Sequence, residues 1–253
     1  MPTAKKDTVT IHVTKLVQKV CVLRLLGTTP LYQNRMSAKA KQEFLVGGGK
    51  GKSKQERAFL KHDPIQEFRD AAEIVPGGPT ALGMKVIAVK AAMATAALDT
   101  GGVFKTEIQR LLFMPDDIVP LYGTPSLKMD IVRQAGMSKT PDIRTRPFLP
   151  TWGTEIEMRY VTPQLNLTSL FNILCNAGVL VGLGDYRQEK GKGNFGSFRV
   201  ISADDQDDEW DDLVANHGRA AQEKALENPV CADSDTEDLM DFFEEEVLRR
   251  EAA

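Results

Sequence analysis

Polar and apolar positions alternate from Thr8 to Thr14 (TVTIHVT), the period of a half-buried strand. A longer apolar-rich run, Val17 to Leu26 (VQKVCVLRLL), reads as a second strand, and Gly27-Thr28-Thr29-Pro30 stops it. Residues 34–45 (NRMSAKAKQEFL) have helical spacing with Ser37 as N-cap, and helical character returns over 55–72, interrupted by Pro64. After the turn Pro76-Gly77-Gly78-Pro79 comes the clearest helix, Gly83 to Leu98, rich in alanine and ended by Gly101-Gly102. Val103 to Pro125 combines a short helix (TEIQRLLF) with a strand (DIVPLYG), and residues 126–150, basic and with three prolines, read as irregular. Thr154 to Val161 alternates as a strand. Thr162-Pro163 opens a helix that runs to about Asn176, Gly178 to Leu183 (GVLVGL) reads as an apolar strand, and Ser197 to Ile201 as the last one.

Two successive strand–helix–strand units predict an α+β fold with a ferredoxin-like or RRM-like (split βαβ) core. The body would span 1–202, with long basic insertions at about 28–75 and 126–150. Residues 203–253 change character: ADDQDDEWDD is a like-charge block, which predicts a largely disordered acidic tail, with only a transient helix over 213–228.

Length and an ordinary apolar fraction (253 residues, 42%) suit one embellished domain or two small ones. No run approaches the ~20 apolar residues of a membrane span, and the N-terminus lacks the apolar stretch of a signal peptide, so a cytoplasmic location is expected. Cys21, Cys175 and Cys231 are too scattered for a disulfide framework or a zinc cluster, and no cofactor is expected. The net charge of −3 conceals an asymmetry. Residues 201–253 carry 18 acids against 4 bases, −14, which leaves 17 acids against 28 bases, +11, in residues 1–200. A basic body with an acidic tail predicts a polyanionic partner and a tail that competes for the same surface; the alternative is a tail that only aids solubility.

The cations cluster where the backbone is freest. Gly184 to Gly196 (GDYRQEKGKGNFG) combines glycines that let the chain approach a phosphate with Arg187, Lys190 and Lys192, flanked by Tyr186 and Phe195, which can stack on bases. Gly47 to Lys54 (GGGKGKSK) carries Lys50, Lys52 and Lys54. It lacks the register of a phosphate-binding P-loop, and an ordinary solvated linker is nearly as good a reading. Lys85 stands near the start of the alanine-rich helix, where backbone N–H groups favour anions, although most of that helix reads as core. Arg35, Arg144, Arg146 and Trp152 complete the expected nucleic-acid-binding set. His12, His62 and His217 have no metal-ligand spacing, and no nucleophile motif occurs, so the chain reads as non-enzymatic, with a ribonuclease using His62 as a weak alternative. Leu239, Met240, Phe242 and Phe243 form an apolar knob in the acidic tail, suited to docking on a partner protein.

The glycine/proline turn into an alanine-rich helix (PGGPTALGMKVIAVKAAMATA) and the late GLGDYRQEKGKGNFGSFRV stretch resemble the RAMP superfamily, the ferredoxin-like RNA-binding subunits of CRISPR effector complexes, and its backbone subunits most. The stretch Pro30 to Lys61 also resembles a group of uncharacterised bacteriophage proteins of this layout. The tail is similar to those of phage and bacterial single-strand DNA-binding proteins. The helix lacks the family's Ser-Leu-Lys-Gly run, and no histidine stands between Leu31 and Leu45, where processing nucleases of the superfamily carry theirs. The resemblance implies a single-stranded nucleic-acid-binding protein without nuclease activity, acting in phage DNA replication or recombination, in the host cytoplasm if phage-encoded. It would line up as a homo-oligomer along the strand, with the tail recruiting replication or recombination proteins. The alternatives are a backbone-like subunit of a guide-RNA effector complex and a protein–protein adaptor working through the tail.

Overall fold

A computed structural model describes residues 13–36, 45, 62–133, 140–190 and 193–251. In chain order the elements are β1 (Val17–Gly27), β2 (Leu31–Tyr32), α1 (Pro64–Ala71), β3 (Gly83–Lys85), α2 (Val86–Ala96), α3 (Lys105–Leu111), β4 (Leu112–Phe113), β5 (Ile118–Tyr122), β6 (Ser126–Arg133), β7 (Pro141–Leu149), β8 (Gly153–Thr162), α4 (Leu167–Leu180), a 3-10 turn (Gln188–Lys190), β9 (Phe198–Ser202), α5 (Asp208–Asn216), α6 (Arg219–Glu227) and α7 (Ser234–Glu251). The fold is α+β. One sheet has the order β3-β5-β8-β1-β9, with β4 also paired to β8, and a second has the order β2-β7-β6; every pair of neighbouring strands is antiparallel.

The period-2 pattern of β1 decides its place. Leu23 and Leu25 point into the core, while Val20 and Val22 on the alternate face are exposed. β1 pairs along most of its length with β8, for example Leu23 with Ile156. Over the core face lie α2 and α4, whose Val89, Met93, Leu170 and Leu174 join Leu25, Ile156 and Met158 in one apolar cluster. α4 crosses β9 so closely that a Cβ at Gly178 would sit 2.1 Å from the Phe198 carbonyl oxygen. Only glycine fits there. GVLVGL, expected as a strand, instead continues α4 to Leu180, with Gly178 on the face that meets β9.

Several expectations change. Within 126–150, read as irregular, Ser126–Arg133 and Pro141–Leu149 form the antiparallel pair β6–β7; Leu127 and Met129 alternate inward onto Phe68 of α1, and Pro141 takes the first position of its strand, where a missing N–H is tolerated. The helix expected from Gly83 begins at Val86, and the one expected from Thr162-Pro163 begins at Leu167, capped by the Asn166 side chain on Ser169 N–H. Pro64 is the first residue of α1, with Asp63 as N-cap, and the part of the expected 55–72 helix before His62 lies outside the described residues. The strand expected at Thr8 to Thr14 and the helix at 34–45 lie mostly outside the described residues.

The largest correction concerns the acidic segment, expected to be disordered. It forms α5, α6 and α7, and all three pack on the body. Trp210 and Leu213 of α5 cover Leu26, with Tyr122 and Ile201 at the edge, on the sheet face opposite α2 and α4. Gln222 of α6 is completely buried. Its carbonyl accepts from Ala81 and Leu82 N–H (2.7 and 2.9 Å), and its amide donates to the Leu121 and Gly123 carbonyls (2.7 and 2.9 Å). Leu239 and Met240 of α7 pack on the cluster of Phe68, Leu127 and Met129, and Lys128 pairs with Asp233.

Candidate nucleic-acid interface

The Gly184–Gly196 loop is anchored to the β2–β7 edge through Arg146. Its guanidinium lies between the Tyr32 and Tyr186 rings, 4.8 and 4.4 Å from their centroids, and bonds Asp130 and Asp185 at 2.7 Å each. Tyr32 in turn meets Phe148, Tyr186 and Phe195 edge-on at 5.0–5.6 Å. The charges reinforce one another. Burial would lower the Arg146 pKa, but Tyr186, Asp185 and Asp130 together hold it above its ordinary value. For Asp185, burial pushes upward, yet the Tyr186 N–H, Arg146 and Asn34 outweigh it and hold the carboxyl below the usual carboxylate range. Burial, then Asp130, raises the Tyr32 phenol. Tyr186 holds a left-handed φ of 50°, a strained conformation for a residue with a side chain, which turns its ring onto Arg146.

Beside this knot opens a groove of about 380 Å³, lined by the chain after β2, the end of α1, the β3–α2 junction and the start of the glycine-rich loop. Arg35, Lys85 and Arg187, far apart in sequence, all line it. A smaller hollow of about 100 Å³ continues along Ala88, Ala91, Ala92 and Thr95 of α2 to Glu189, with Arg187 lining both. Gln33 fixes the floor, donating to the Gly83 carbonyl at 2.9 Å and accepting from Glu73 N–H at 3.2 Å, and Asn34 donates to Asp185 at 2.8 Å. The groove's cations have carboxylate partners. Glu73 stands 3.6 Å from Arg35 and 3.1 Å from Lys85, and Glu189 stands 2.9 Å from Arg187 and 3.3 Å from Lys190.

The structure thus brings together Arg35, Lys85 and Arg187 from the sequence-predicted set at the groove, while Lys190 lines neither hollow and reaches it only through Glu189; Tyr186 and Phe195 lie in the aromatic knot beside the groove. Tyr186 and Phe195 are half-buried, their rings turned inward on Arg146 and Tyr32. Arg146 and Trp152, expected at the nucleic acid, are each 1% exposed. Trp152 lies under Gly27 and donates its indole N–H to the Thr29 carbonyl at 2.9 Å, so its ring faces are core. Arg144 is exposed on β7 opposite Asp130 and does not line the groove. Lys50, Lys52, Lys54 and Lys192 lie outside the described residues. No residue of α5, α6 or α7 lines the groove. Of the tail knob, Phe242 is 66% exposed, while Leu239 and Met240 are partly buried against the hairpin and Phe243 is half-buried.

His62 is held between two carboxylates, 2.7 Å from Glu67 and 3.1 Å from Asp142, away from the groove lining. Among the described residues no cluster of His, Cys, Asp or Glu could hold a metal ion, and no helix is long and apolar enough to cross a membrane. Sequence reasoning missed Tyr32, Gln33, Asp185, Glu73 and Glu189. Asp185 had a signal, since it sits inside the glycine-rich GLGDYR run already singled out; Glu73 had none.

Neither any known family nor any curated protein matches the chain. Among solved structures, a chain from a cryo-electron microscopy structure of a type III-B Cmr-beta complex bound to cognate target RNA is 10% identical, with a TM-score of 0.36. The match covers 73% of this chain and 60% of that one.

Proposed function

We propose that this chain is a non-enzymatic protein that binds single-stranded nucleic acid along the groove between the glycine-rich loop and the β3–α2 junction. One observation carries the reading: Arg35, Lys85 and Arg187, contributed by three distant segments, converge on one open groove that runs on along the small-residue face of α2. Phosphates supply most of the affinity in such sites, and small side chains along the floor let a sugar–phosphate backbone lie close. The core reads as ferredoxin-like. Its support is the sequence β1-α2-β5-β8-α4-β9 arranged in the antiparallel order β5-β8-β1-β9, with both helices on one face. The segments that resemble RAMP proteins, around Gly83–Ala88 and Leu183–Arg187, face each other across this groove. That favours an RNA strand, as in a guide-RNA effector subunit, as the second reading beside a phage single-strand DNA-binding role. Assembly of several copies along the strand, in the cytoplasm, belongs to both.

The test is an anisotropy titration against single-stranded DNA, single-stranded RNA and duplex DNA over a range of salt. If Arg35, Lys85, Arg187 and Lys190 each neutralise a phosphate, log K falls with log salt at a slope of about −2.8. Lys85→Glu and Arg187→Glu each weaken binding by about tenfold or more and flatten the slope. A flat salt response in all arms, or binding indifferent to both variants, overturns the reading.

A further inference from the structure

We propose that Glu73 and Glu189 hold, in the free protein, the cations that two phosphates of the bound strand take over, so that nucleic acid binds by exchanging carboxylate for phosphate as their partner. The inference rests on the reading that the groove holds single-stranded nucleic acid. Each glutamate bridges two cations: Glu73 lies between Arg35 and Lys85, and Glu189 between Arg187 and Lys190. An anionic oxygen pair shared by two cations is what a phosphate in this groove would present. The Arg35–Glu73 contact is also incomplete. Arg35 Nε is buried yet has no hydrogen-bond partner, and the carboxylate at 3.6 Å is too far to accept from it. A donor is left waiting for an acceptor that approaches more closely than Glu73 does.

The two glutamates differ in how they can yield. Glu73 is fixed through its backbone, its N–H bonded to Gln33 and its carbonyl to Gly83 N–H at 2.8 Å, and its side chain is 15% exposed. It cannot leave, so Arg35 and Lys85 must turn away from it toward the strand, and its charge then repels the incoming phosphate. Glu189 sits on the exposed 3-10 turn, its N–H on the Val181 carbonyl at 3.3 Å, and its side chain can turn outward from its cations. Burial pushes its pKa up, but Lys190 and Arg187 together outweigh this and hold it below the ordinary glutamate value, so it is a full negative charge at neutral pH.

Glu73→Gln and Glu189→Gln keep shape and remove charge. At 0.15 M salt each tightens binding of a single-stranded oligonucleotide by about two- to fivefold, the scale of a surface ion pair. Each also steepens the log K–log salt slope toward the about −2.8 of four cations free to neutralise phosphate, because a cation still shared with a carboxylate counts for less. Glu251→Gln, an exposed glutamate at the end of α7, makes the same change in net charge and leaves affinity unchanged. Thermal unfolding confirms that the variants are folded, and Glu189→Gln, on an exposed turn, keeps the test open if Glu73→Gln does not fold. Wild-type binding with unchanged or weaker binding in the folded variants overturns the exchange and makes the glutamates positioning residues for the cations. Absence of wild-type binding to DNA and RNA overturns the functional reading itself.

Discussion

Arg146 illustrates why a basic residue in a basic segment need not meet phosphate. Its two carboxylates and two aromatic rings hold a buried guanidinium of which Nε alone has no hydrogen-bond partner, and its planar fork is what lets it be stacked and doubly bonded at once. Arg146→Leu strands Asp130 and Asp185 beside an apolar side chain. Both keep some access to water, so the loss is expected at the low end for a broken buried pair, about 3 kcal/mol by denaturant unfolding. Arg146→Lys keeps the charge but loses the fork, and a variant as stable as wild type would show that the stacking contributes nothing. Asp185 adds a pH signature. Its folded pKa lies below its unfolded value of about 3.9, so its stabilisation is complete above that value and disappears as pH falls through the lower folded one. Asp185→Asn should therefore be less stable than wild type at neutral pH and show a shallower loss of stability below about pH 4.

At the scale of elements, α6 sets a limit on how the acidic segment can be studied. Gln222 closes four backbone groups that no neighbour replaces, and Arg219 donates to the Gly78, Val75 and Thr80 carbonyls at the other side of the same turn. Gln222→Leu leaves two N–H and two C=O groups buried without partners, a loss of about 3 kcal/mol or more in chemical unfolding. Deleting residues 204–253 removes Gln222, Trp210 and Leu213 together and should yield a chain that unfolds at markedly lower temperature, whereas deletion from Ser234 keeps all three and should cost far less. Equal melting temperatures for the two truncations would show that α5 and α6 are not part of the fold. These helices were hard to read from sequence because their apolar content is sparse: one Trp and one Leu among nine residues, four of them acidic, carry α5. The strand β8 was legible from the period-2 alternation of Thr154 to Val161, and β1 from an apolar-rich run stopped by Gly27-Thr28-Thr29-Pro30. The β6–β7 hairpin was not, because three prolines outweighed its alternation, although the first of them only opens a strand. Of the site, the cations were visible as residue types near glycines. Their acidic partners and the inward turn of Tyr186 arise from contacts between segments that no local pattern records.

On the scale of the whole molecule, the folded acidic segment carries most of the negative charge yet lines no part of the groove, so its influence on a nucleic acid must act through space. Such an influence has a distinct kinetic form. Rim and distant charges change the rate of encounter, and contacts inside a site change the rate of departure. Screening sharpens the difference: the Debye length is about 30 Å at 0.01 M salt and about 8 Å at 0.15 M, so a repulsive helix outside the groove is felt at the first and largely hidden at the second. Asp238, Asp241, Glu244 and Glu245 are exposed on α7. Replacing them by Asn and Gln moves the net charge from −3 to +1 without touching Thr236, Leu239 or Met240, which hold the helix on the hairpin. Stopped-flow measurements with a labelled oligonucleotide should show association several-fold faster than wild type at 0.01 M salt, equal association at 0.15 M, and one dissociation rate throughout. A dissociation rate that falls at both salts would mean instead that α7 leaves the hairpin and enters the groove, so that the segment competes for the cations directly.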